Sequence, residues 1–319
     1  MISKLKNSAF VIACGLALFS CEKEELPVAP YVPGDAELNE IGMEEDYRNQ
    51  LYFDLETNTI VHSNLKIEWD LAFHSSLDHI VLNTSKGMAV HHSNLSFEDL
   101  TSAENLDWSW DAHSGDLDST AFGIIALNKL YVIDRGYSHL GIHQGYAKIV
   151  IDNFDLNSFE VTYGEVSSVT PLNLTINRDL TRNMSYFNFD NGQVIIAPEK
   201  EDYDLIFTQY THVFTNPTTA YLVTGVLLNR YETEAALYEE KLFEEIVFSD
   251  VQDLPLSSSI NVIGYDWKSY DLGSGLFTTY PEMNYILKTS EDRYYKLHFT
   301  SFYNELGLKG FPNIEFQEL

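Results

Sequence analysis

Apolar and polar residues alternate in several blocks of this chain, and Tyr, Phe, Ile and Val fill the apolar positions. An alternation with a period of two is typical of half-buried β-strands. One block, Tyr52 to Phe73, aligns without a gap on a second block, Tyr186 to Phe207. A later block repeats in the same order, so that Tyr146 to Phe154 matches Tyr294 to Phe302. The pattern therefore predicts two successive copies of one β-rich module.

Turn chemistry between the blocks indicates how the strands are joined. Asp190-Asn191-Gly192 separates two apolar runs and is typical of a β-hairpin turn. We therefore expect an all-β protein built from antiparallel strands. The second copy is longer than the first, and Glu232 to Phe248 in this extra stretch predicts a short amphipathic helix.

The repeats suggest domain boundaries. The first module is predicted over residues 46–166 and the second over residues 184–319. The segment 167–183 between them is rich in Ser, Thr and Asn and suits either a linker or a capping strand. Each module is expected to fold alone.

The N-terminus has the features of an export signal. Lys4 and Lys6 precede an apolar run that is too short to span a membrane, so residues 1–20 are predicted to be a signal peptide. Leu18-Phe19-Ser20-Cys21 resembles a bacterial lipobox, which makes Cys21 the predicted site of acylation, including by palmitate. A plain secretory signal is the alternative. Residues 21–45 are then the acylated cysteine and a Pro-rich tether, and the acidic residues after Cys21 favour lipid anchoring at the outer surface of the outer membrane.

Composition excludes some classes of partner. The formal net charge is −29, and loss of two lysines with the signal peptide takes it to about −31, so nucleic acid is not an expected partner. The simplest interpretation of this negative charge is a non-specific one, namely that it keeps a surface protein soluble. Cys14 and Cys21 are the two cysteines, and processing would remove the first and acylate the second. We therefore expect neither a disulfide nor a thiolate metal site in the mature protein.

Several motifs resemble the HmuY family of haem-binding surface lipoproteins. They are the opening Tyr52-Phe53 pair, Trp69 to Phe73 followed by Ile80 to Asn83, and the closing strand Tyr295 to Phe302 with Lys309-Gly310-Phe311. The resemblance implies tandem two-sheet modules. It also implies a protein that takes haem, free or from a host haemoprotein, and passes it to a TonB-dependent receptor for iron acquisition. Haem-binding members hold the iron between two axial side chains, commonly His or Met.

His113 is the first candidate for an axial ligand. The segment Trp108 to His113 resembles a family segment in which a tryptophan precedes an axial histidine by the same interval. The stretch that carries the second family ligand is missing here, and His91, His92 and Met88 are the candidates to replace it. The alternative is that His91 and His92 are simply solvated. In the second copy the position that matches His113 falls near Asp271 or Leu272, which are not haem ligands, so haem is expected in the first module.

The remaining histidines are weaker candidates. His139 and His143 could chelate a metal if their glycine-rich loop were ordered. His62 is interpreted as a loop residue. The others lie in predicted strands and are interpreted as ordinary, partly buried histidines; they are His74, His79, His212 and His298.

The chain lacks the sequence signatures of common enzyme classes, such as Gly-x-Ser-x-Gly, a Gly-rich phosphate loop or His-Glu-x-x-His, so we do not expect an enzyme. Two functions from different classes remain open. The first is haem capture. The second is a surface adhesion or complex-assembly lipoprotein that keeps the fold without a haem site.

Overall fold

Antiparallel strand pairing organises residues 34–319, the part of the chain that the computed structural model describes. The signal peptide, Cys21 and most of the predicted tether lie outside these residues. The strands up to the middle of the chain are β1 (Glu37–Glu40), β2 (Asn49–Asp54), β3 (Thr59–Leu65), β4 (Leu71–His74), β5 (Ile80–Leu82), β6 (Ala89–Ser93), β7 (Leu130–Asp134), β8 (Tyr146–Phe154), β9 (Ser158–Glu165) and β10 (Leu172–Asn177).

Strands also dominate the second half, where there is one four-residue helix. The elements are β11 (Met184–Asn188), β12 (Gly192–Val194), β13 (Leu205–Thr215), β14 (Thr218–Leu228), β15 (Glu234–Tyr238), α1 (Phe248–Val251), β16 (Lys268–Asp271), β17 (Leu276–Thr279), β18 (Asn284–Lys288), β19 (Tyr294–Tyr303) and β20 (Lys309–Glu318). The predicted all-β, antiparallel fold is confirmed. Among residues 34–319, no helix is long and apolar enough to cross a bilayer.

The strands form four main sheets and one separate hairpin. Two sheets have five strands, in the orders β10-β9-β8-β7-β6 and β1-β20-β19-β18-β15. Two have four strands, in the orders β12-β11-β4-β5 and β14-β13-β2-β3, and β16 pairs with β17 alone. The hairpin predicted at Asp190-Asn191-Gly192 joins β11 to β12, where Asn188 faces Gly192.

The two repeats exchange hairpins. The β2–β3 hairpin of the first repeat joins β13 of the second, with Tyr52 opposite Ile206. The β11–β12 hairpin of the second repeat joins β4 of the first, with Tyr186 opposite Ala72. These two cross-strand pairs occupy equivalent places in the aligned repeats, so the halves are related by an approximate twofold arrangement.

Each four-stranded sheet packs on one five-stranded sheet. In one core, Leu71, Phe73 and Phe187 pack with Ile149 and Phe159. In the other, residues of β2 and β13 pack with β19 and β20: Leu51, Phe53, Leu205, Phe207, Phe299 and Phe316. A third cluster, which includes Tyr52, Ala72, Tyr186 and Tyr203, lies between the two central sheets. Both sandwiches therefore contain buried residues from both repeats.

This exchange bears on the predicted domain organisation. The boundaries at 46–166, 167–183 and 184–319 stay predictions, but the shared cores argue against the expectation that each copy folds alone. Within the segment predicted as a linker or capping strand, β10 pairs with β9 and forms the edge of its sheet.

A short helix in the second repeat is confirmed, but its predicted position was wrong, as were the predicted positions of His62 and His79. His79 precedes β5 and does not lie in a strand. Glu232 to Phe248 does not form the helix, because β15 lies there and pairs with β18, which satisfies its backbone hydrogen bonds; α1 covers Phe248–Val251. Ala235 and Tyr238 are both buried three residues apart, which imitates a helical period. His62 is not a loop residue but lies in β3 opposite Tyr52, with the ring centroids 5.7 Å apart.

Candidate functional site

The loop that carries His113 is held in place by a buried carboxylate. Asp111 accepts hydrogen bonds from the backbone N–H groups of Leu82 and Ala121, each at 2.7 Å. Burial raises the pKa of Asp111 to about 6, while the two N–H donors act in the opposite direction. The clamp ties the loop to β5 and fixes the position from which His113 extends.

The second half of the chain holds the other side of this loop. The Arg230 guanidinium donates to the Gly115 carbonyl at 2.6 Å, and the Ile260 N–H donates to the Ser114 carbonyl at 2.9 Å. The loop therefore lies between the two repeats, against β13.

His113 stacks on His212 of β13. Their ring centroids are 4.1 Å apart and the planes are inclined by 30°. Burial, followed by the nearby His212, lowers the pKa of His113, so its imidazole is neutral at pH 7 and keeps a lone pair for a ligand. The Nδ1 atom of His212 is buried and has no hydrogen-bond partner among residues 34–319. Two imidazoles from different repeats thus lie side by side, and we call them the histidine pair.

Aromatic side chains surround His212. The ring of Tyr265 lies 5.3 Å from the His212 ring, and that of Phe214 lies 4.7 Å away. His113 also borders a small cavity of about 100 Å³ between the sheets, together with Tyr186, Tyr210 and Ile260. The surroundings are therefore mainly aromatic and apolar.

A larger cavity of about 650 Å³ begins at Tyr265, and we call it the tyrosine cavity. Its size is in the range of small-molecule sites. The side chains that line it include Tyr47, Tyr221, Tyr265, Tyr270, Phe277, Tyr280, Lys268 and Lys309. Burial lowers the pKa of Lys268 to about 7, and its ammonium donates to the Thr224 carbonyl at 2.5 Å. The cavity thus combines aromatic walls with two basic side chains and one acidic side chain, Asp266.

The structure does not place the other axial candidates beside His113. His91 Nδ1 contacts the Asp107 carbonyl at 2.9 Å, and His92 Nε2 contacts the Ala121 carbonyl at 2.7 Å. Met88 is 1 % exposed and packs inside the first core. The role of each as an axial ligand stays a prediction, as does that of His113.

His139 and His143 each face a carboxylate. His139 Nε2 lies 3.9 Å from Asp46, and His143 Nε2 lies 2.8 Å from Asp134. Within residues 34–319, the group of three or more ligating side chains close enough to share an ion is Asp54, Glu56 and Asp204, which contains neither histidine. The proposed chelate at His139 and His143 stays a prediction, and Cys21 lies outside the described residues.

Sequence reasoning did not select His212. It lies in a strand between Tyr210 and Phe214, a pattern that indicates an ordinary packed histidine. Nothing local to it signals that the loop of the other repeat would place His113 on its ring. In the second repeat, the position matched to His113 falls at the β16–β17 hairpin, where Asp271 and Leu272 are exposed.

Comparison with known proteins identifies one family. Residues 46–179 and residues 180–316 each match the family model described as HmuY protein. No curated protein matches the chain.

Several solved structures are similar to this chain at low identity and low TM-score. Apo PinO from Porphyromonas gingivitis has 8% identity and a TM-score of 0.36, covering 90% of this chain and 98% of that chain. The apo HmuY analogue from Tannerella forsythia has 10% identity and a TM-score of 0.26, covering 90% and 97%. A putative HmuY-like haem-binding protein from Bacteroides vulgatus has 12% identity and a TM-score of 0.24, covering 90% and 95%. These TM-scores are too low for the likeness to carry a functional argument.

Proposed function

The chain belongs to the HmuY family, and from this premise we propose that it binds haem through His113 and His212. The observation that carries the proposal is the contact between these two imidazoles at 4.1 Å, one from each repeat. Haem iron accepts nitrogen donors of histidine as axial ligands. The donor chemistry of the pair therefore fits the group that the family implies.

Three features of the pair support this role. His113 is held neutral by its surroundings, and only a neutral imidazole can donate its lone pair to iron. His212 has a buried Nδ1 for which the described part of the chain provides no hydrogen-bond partner. His113 lies on a loop whose backbone is fixed by Asp111 and Arg230, so its side chain is presented from a defined position. The two rings must separate for both to bind one iron, since they now stack.

The tyrosine cavity supplies the remaining chemistry that a porphyrin requires. Tyr265 lines this cavity and touches His212, so the cavity adjoins the histidine pair. Aromatic side chains suit the faces of a flat apolar ring. Lys268 and Lys309 could pair with carboxylates of the ligand. Bound haem would supply the iron, and the protein would bind and orient it.

The wider role follows as part of the same proposal. A predicted signal peptide and an acylated Cys21 would anchor the protein at the outer membrane, exposed at the cell surface. From there it would take haem from its surroundings and pass it to a TonB-dependent receptor. The signal sequence and the resemblance to the HmuY family support this placement, and no enzymatic step is proposed.

Haemin titration of the purified protein tests the binding site. We expect the Soret band to shift on binding, and His113→Ala or His212→Ala to weaken binding by more than about tenfold, or about 1.4 kcal/mol. Each variant should also convert a six-coordinate low-spin spectrum to a high-spin one, because one axial nitrogen is lost. His62→Ala is the matched control, since this strand histidine lies away from the pair, and it should bind like wild type.

Other outcomes would contradict the proposal in distinct ways. If His91→Ala or His92→Ala changes the spin state while His212→Ala does not, the axial partner of His113 is on β6. If the wild-type protein gives no Soret shift, the adhesion function becomes the better hypothesis. Binding through His113 should also weaken at acidic pH, but only below the ordinary histidine value of about 6.5, because burial lowers the pKa of His113 and protonation removes the lone pair.

A further inference from the structure

The tyrosine cavity contains a buried lysine that no protein carboxylate neutralises. Lys268 is 7 % exposed, and its ammonium donates to the Thr224 carbonyl at 2.5 Å. Among residues 34–319 it takes part in no ion pair, although the whole chain has 48 acidic residues. Asp266 lines the same cavity, but its side chain is exposed and forms no ion pair with Lys268. Because buried charges are normally paired, this ammonium indicates an anionic ligand.

A tyrosine hydroxyl of the same lining also lacks a partner. Tyr47 lines the cavity, and its buried hydroxyl has no hydrogen-bond partner among residues 34–319. The Tyr47 ring stacks on Phe302 with the centroids 6.1 Å apart, and the Lys268 ammonium lies 4.8 Å from the centroid of the same Phe302 ring. Two polar groups that both pack against Phe302 can therefore donate to a ligand. A buried hydroxyl without a partner costs free energy, which an acceptor atom of a ligand would recover.

The rest of the lining suits a flat ring. Tyr265, Tyr270, Phe277 and Tyr280 line the cavity, and the ring centroids of Tyr270 and Phe277 are 4.8 Å apart. Aromatic side chains pack favourably on other conjugated rings in stacked or edge-on arrangements. The volume of about 650 Å³ is in the range of small-molecule sites. The cavity thus combines room for a planar ring with unsatisfied donors.

We propose that the tyrosine cavity binds planar aromatic carboxylic acids, with Lys268 and Tyr47 as the donors to the carboxylate. A carboxylate accepts several hydrogen bonds at once, and those from a charged donor are the strongest. A bound carboxylate would also favour the charged form of Lys268, which burial disfavours. Lys309 is partly exposed, lines the same cavity and lies 5.5 Å from the Tyr47 ring, so its charge also attracts an anion.

The carboxylate has two sources. One is a free aromatic acid, which binds here without iron and without the histidine pair. The other is a carboxylate side chain of haem, and this source alone rests on the proposed function.

Fluorescence titration of the purified, haem-free protein with anthracene-9-carboxylate tests the site. We expect saturable binding to the wild-type protein and binding of the methyl ester that is weaker by about tenfold or more, because the ester lacks the negative charge. Lys268→Met and Tyr47→Phe should each weaken binding of the acid by about tenfold and reduce the preference for acid over ester.

Matched controls separate the cavity from burial alone. Tyr295→Phe removes another buried hydroxyl that has no partner among residues 34–319, and Lys296→Met removes another buried lysine. Neither side chain lines the tyrosine cavity. Both variants should therefore keep the wild-type affinity for the acid and the wild-type preference for acid over ester.

Competition with haemin distinguishes the two sources. Displacement of the anthracene acid by haemin would show that haem uses the cavity as well. Retained binding of the acid by a protein that gives no Soret shift with haemin would remove the haem function and leave this site standing. The proposal is overturned if the acid does not bind at millimolar concentrations, if acid and ester bind equally, or if Lys268→Met and Tyr47→Phe keep the wild-type preference.

Discussion

Replacement of Asp70 by asparagine should strongly destabilise the protein. Asp70 is fully buried, and its carboxylate binds the Lys86 ammonium, the Arg135 guanidinium and the Phe189 N–H. Lys86 is 1 % exposed, so its charge cannot turn to water when the partner is removed. Gly136 lets the chain pass close to Lys86, since a Cβ there would lie 2.2 Å from the Lys86 carbonyl oxygen. The network therefore has little room to rearrange.

The size of the loss follows from what Asp70→Asn leaves behind. Arg135 keeps Asp190 as a partner at 2.8 Å, whereas Lys86 loses the carboxylate that it binds. Removing one partner of a buried ion pair costs about 3–5 kcal/mol. Burial already lowers the pKa of Lys86, and Asp70 opposes that shift, so the pKa should fall further in the variant. The deficit should shrink as pH rises, because a neutral lysine needs no counter-ion.

Asp204→Asn is the matched control at the equivalent position. Asp204 accepts the same kind of backbone hydrogen bond from Leu55, but it takes part in no ion pair within residues 34–319, and burial raises its pKa to about 6. The neutral amide keeps an acceptor oxygen and removes a costly buried charge. We therefore expect a loss of about 1 kcal/mol or less.

Urea denaturation followed by circular dichroism, at pH 7 and pH 9, measures both variants. Asp70→Asn should lower the free energy of unfolding by several times more than Asp204→Asn, and the difference should narrow at pH 9. Equal losses in the two variants, or a loss below about 1 kcal/mol for Asp70→Asn, would refute the reasoning that the buried cations make the two positions different.

Two further predictions concern architecture and anchoring. Fragments 34–183 and 184–319 should each lack cooperative thermal unfolding by circular dichroism, because each core needs a hairpin of the other repeat. The two fragments should form the sandwiches when they are mixed. Cooperative unfolding of either fragment alone would instead support independently folding modules. Cys21→Ala should abolish labelling by radioactive palmitate and release the protein from membranes, and retained labelling would remove the lipoprotein proposal.

Local sequence patterns were enough to predict several of the strands. Period-two alternation identified the blocks of β2, β4, β11 and β13 because in a strand successive side chains face opposite sides. The Asp190-Asn191-Gly192 turn was predictable for a similar reason, since Gly192 adopts a positive φ that suits such a hairpin. The family and the tandem repeat were likewise readable from short motifs in order.

Strand partners and site composition depended on tertiary structure. Both repeats have the same pattern of apolar residues, so this pattern does not predict whether β2 pairs with a strand of its own repeat or of the other. The hairpin exchange is determined only by tertiary packing. The three-residue spacing of Ala235 and Tyr238 suits a helix, yet pairing with β18 makes this segment a strand.

The candidate site shows the same division. His113 was found from a local motif, but His212 lies about a hundred residues away in another repeat and looks like a packed strand histidine. Likewise, Asp70 and Asp204 occupy equivalent positions in the aligned repeats, and only folding shows that one contacts Lys86 and Arg135 while the other contacts carboxylates. The sequence determines which residues can form strands and which side chains can act as ligands, because both properties are local. Which of them come together is decided by long-range packing, because contacts between distant segments carry no local signature.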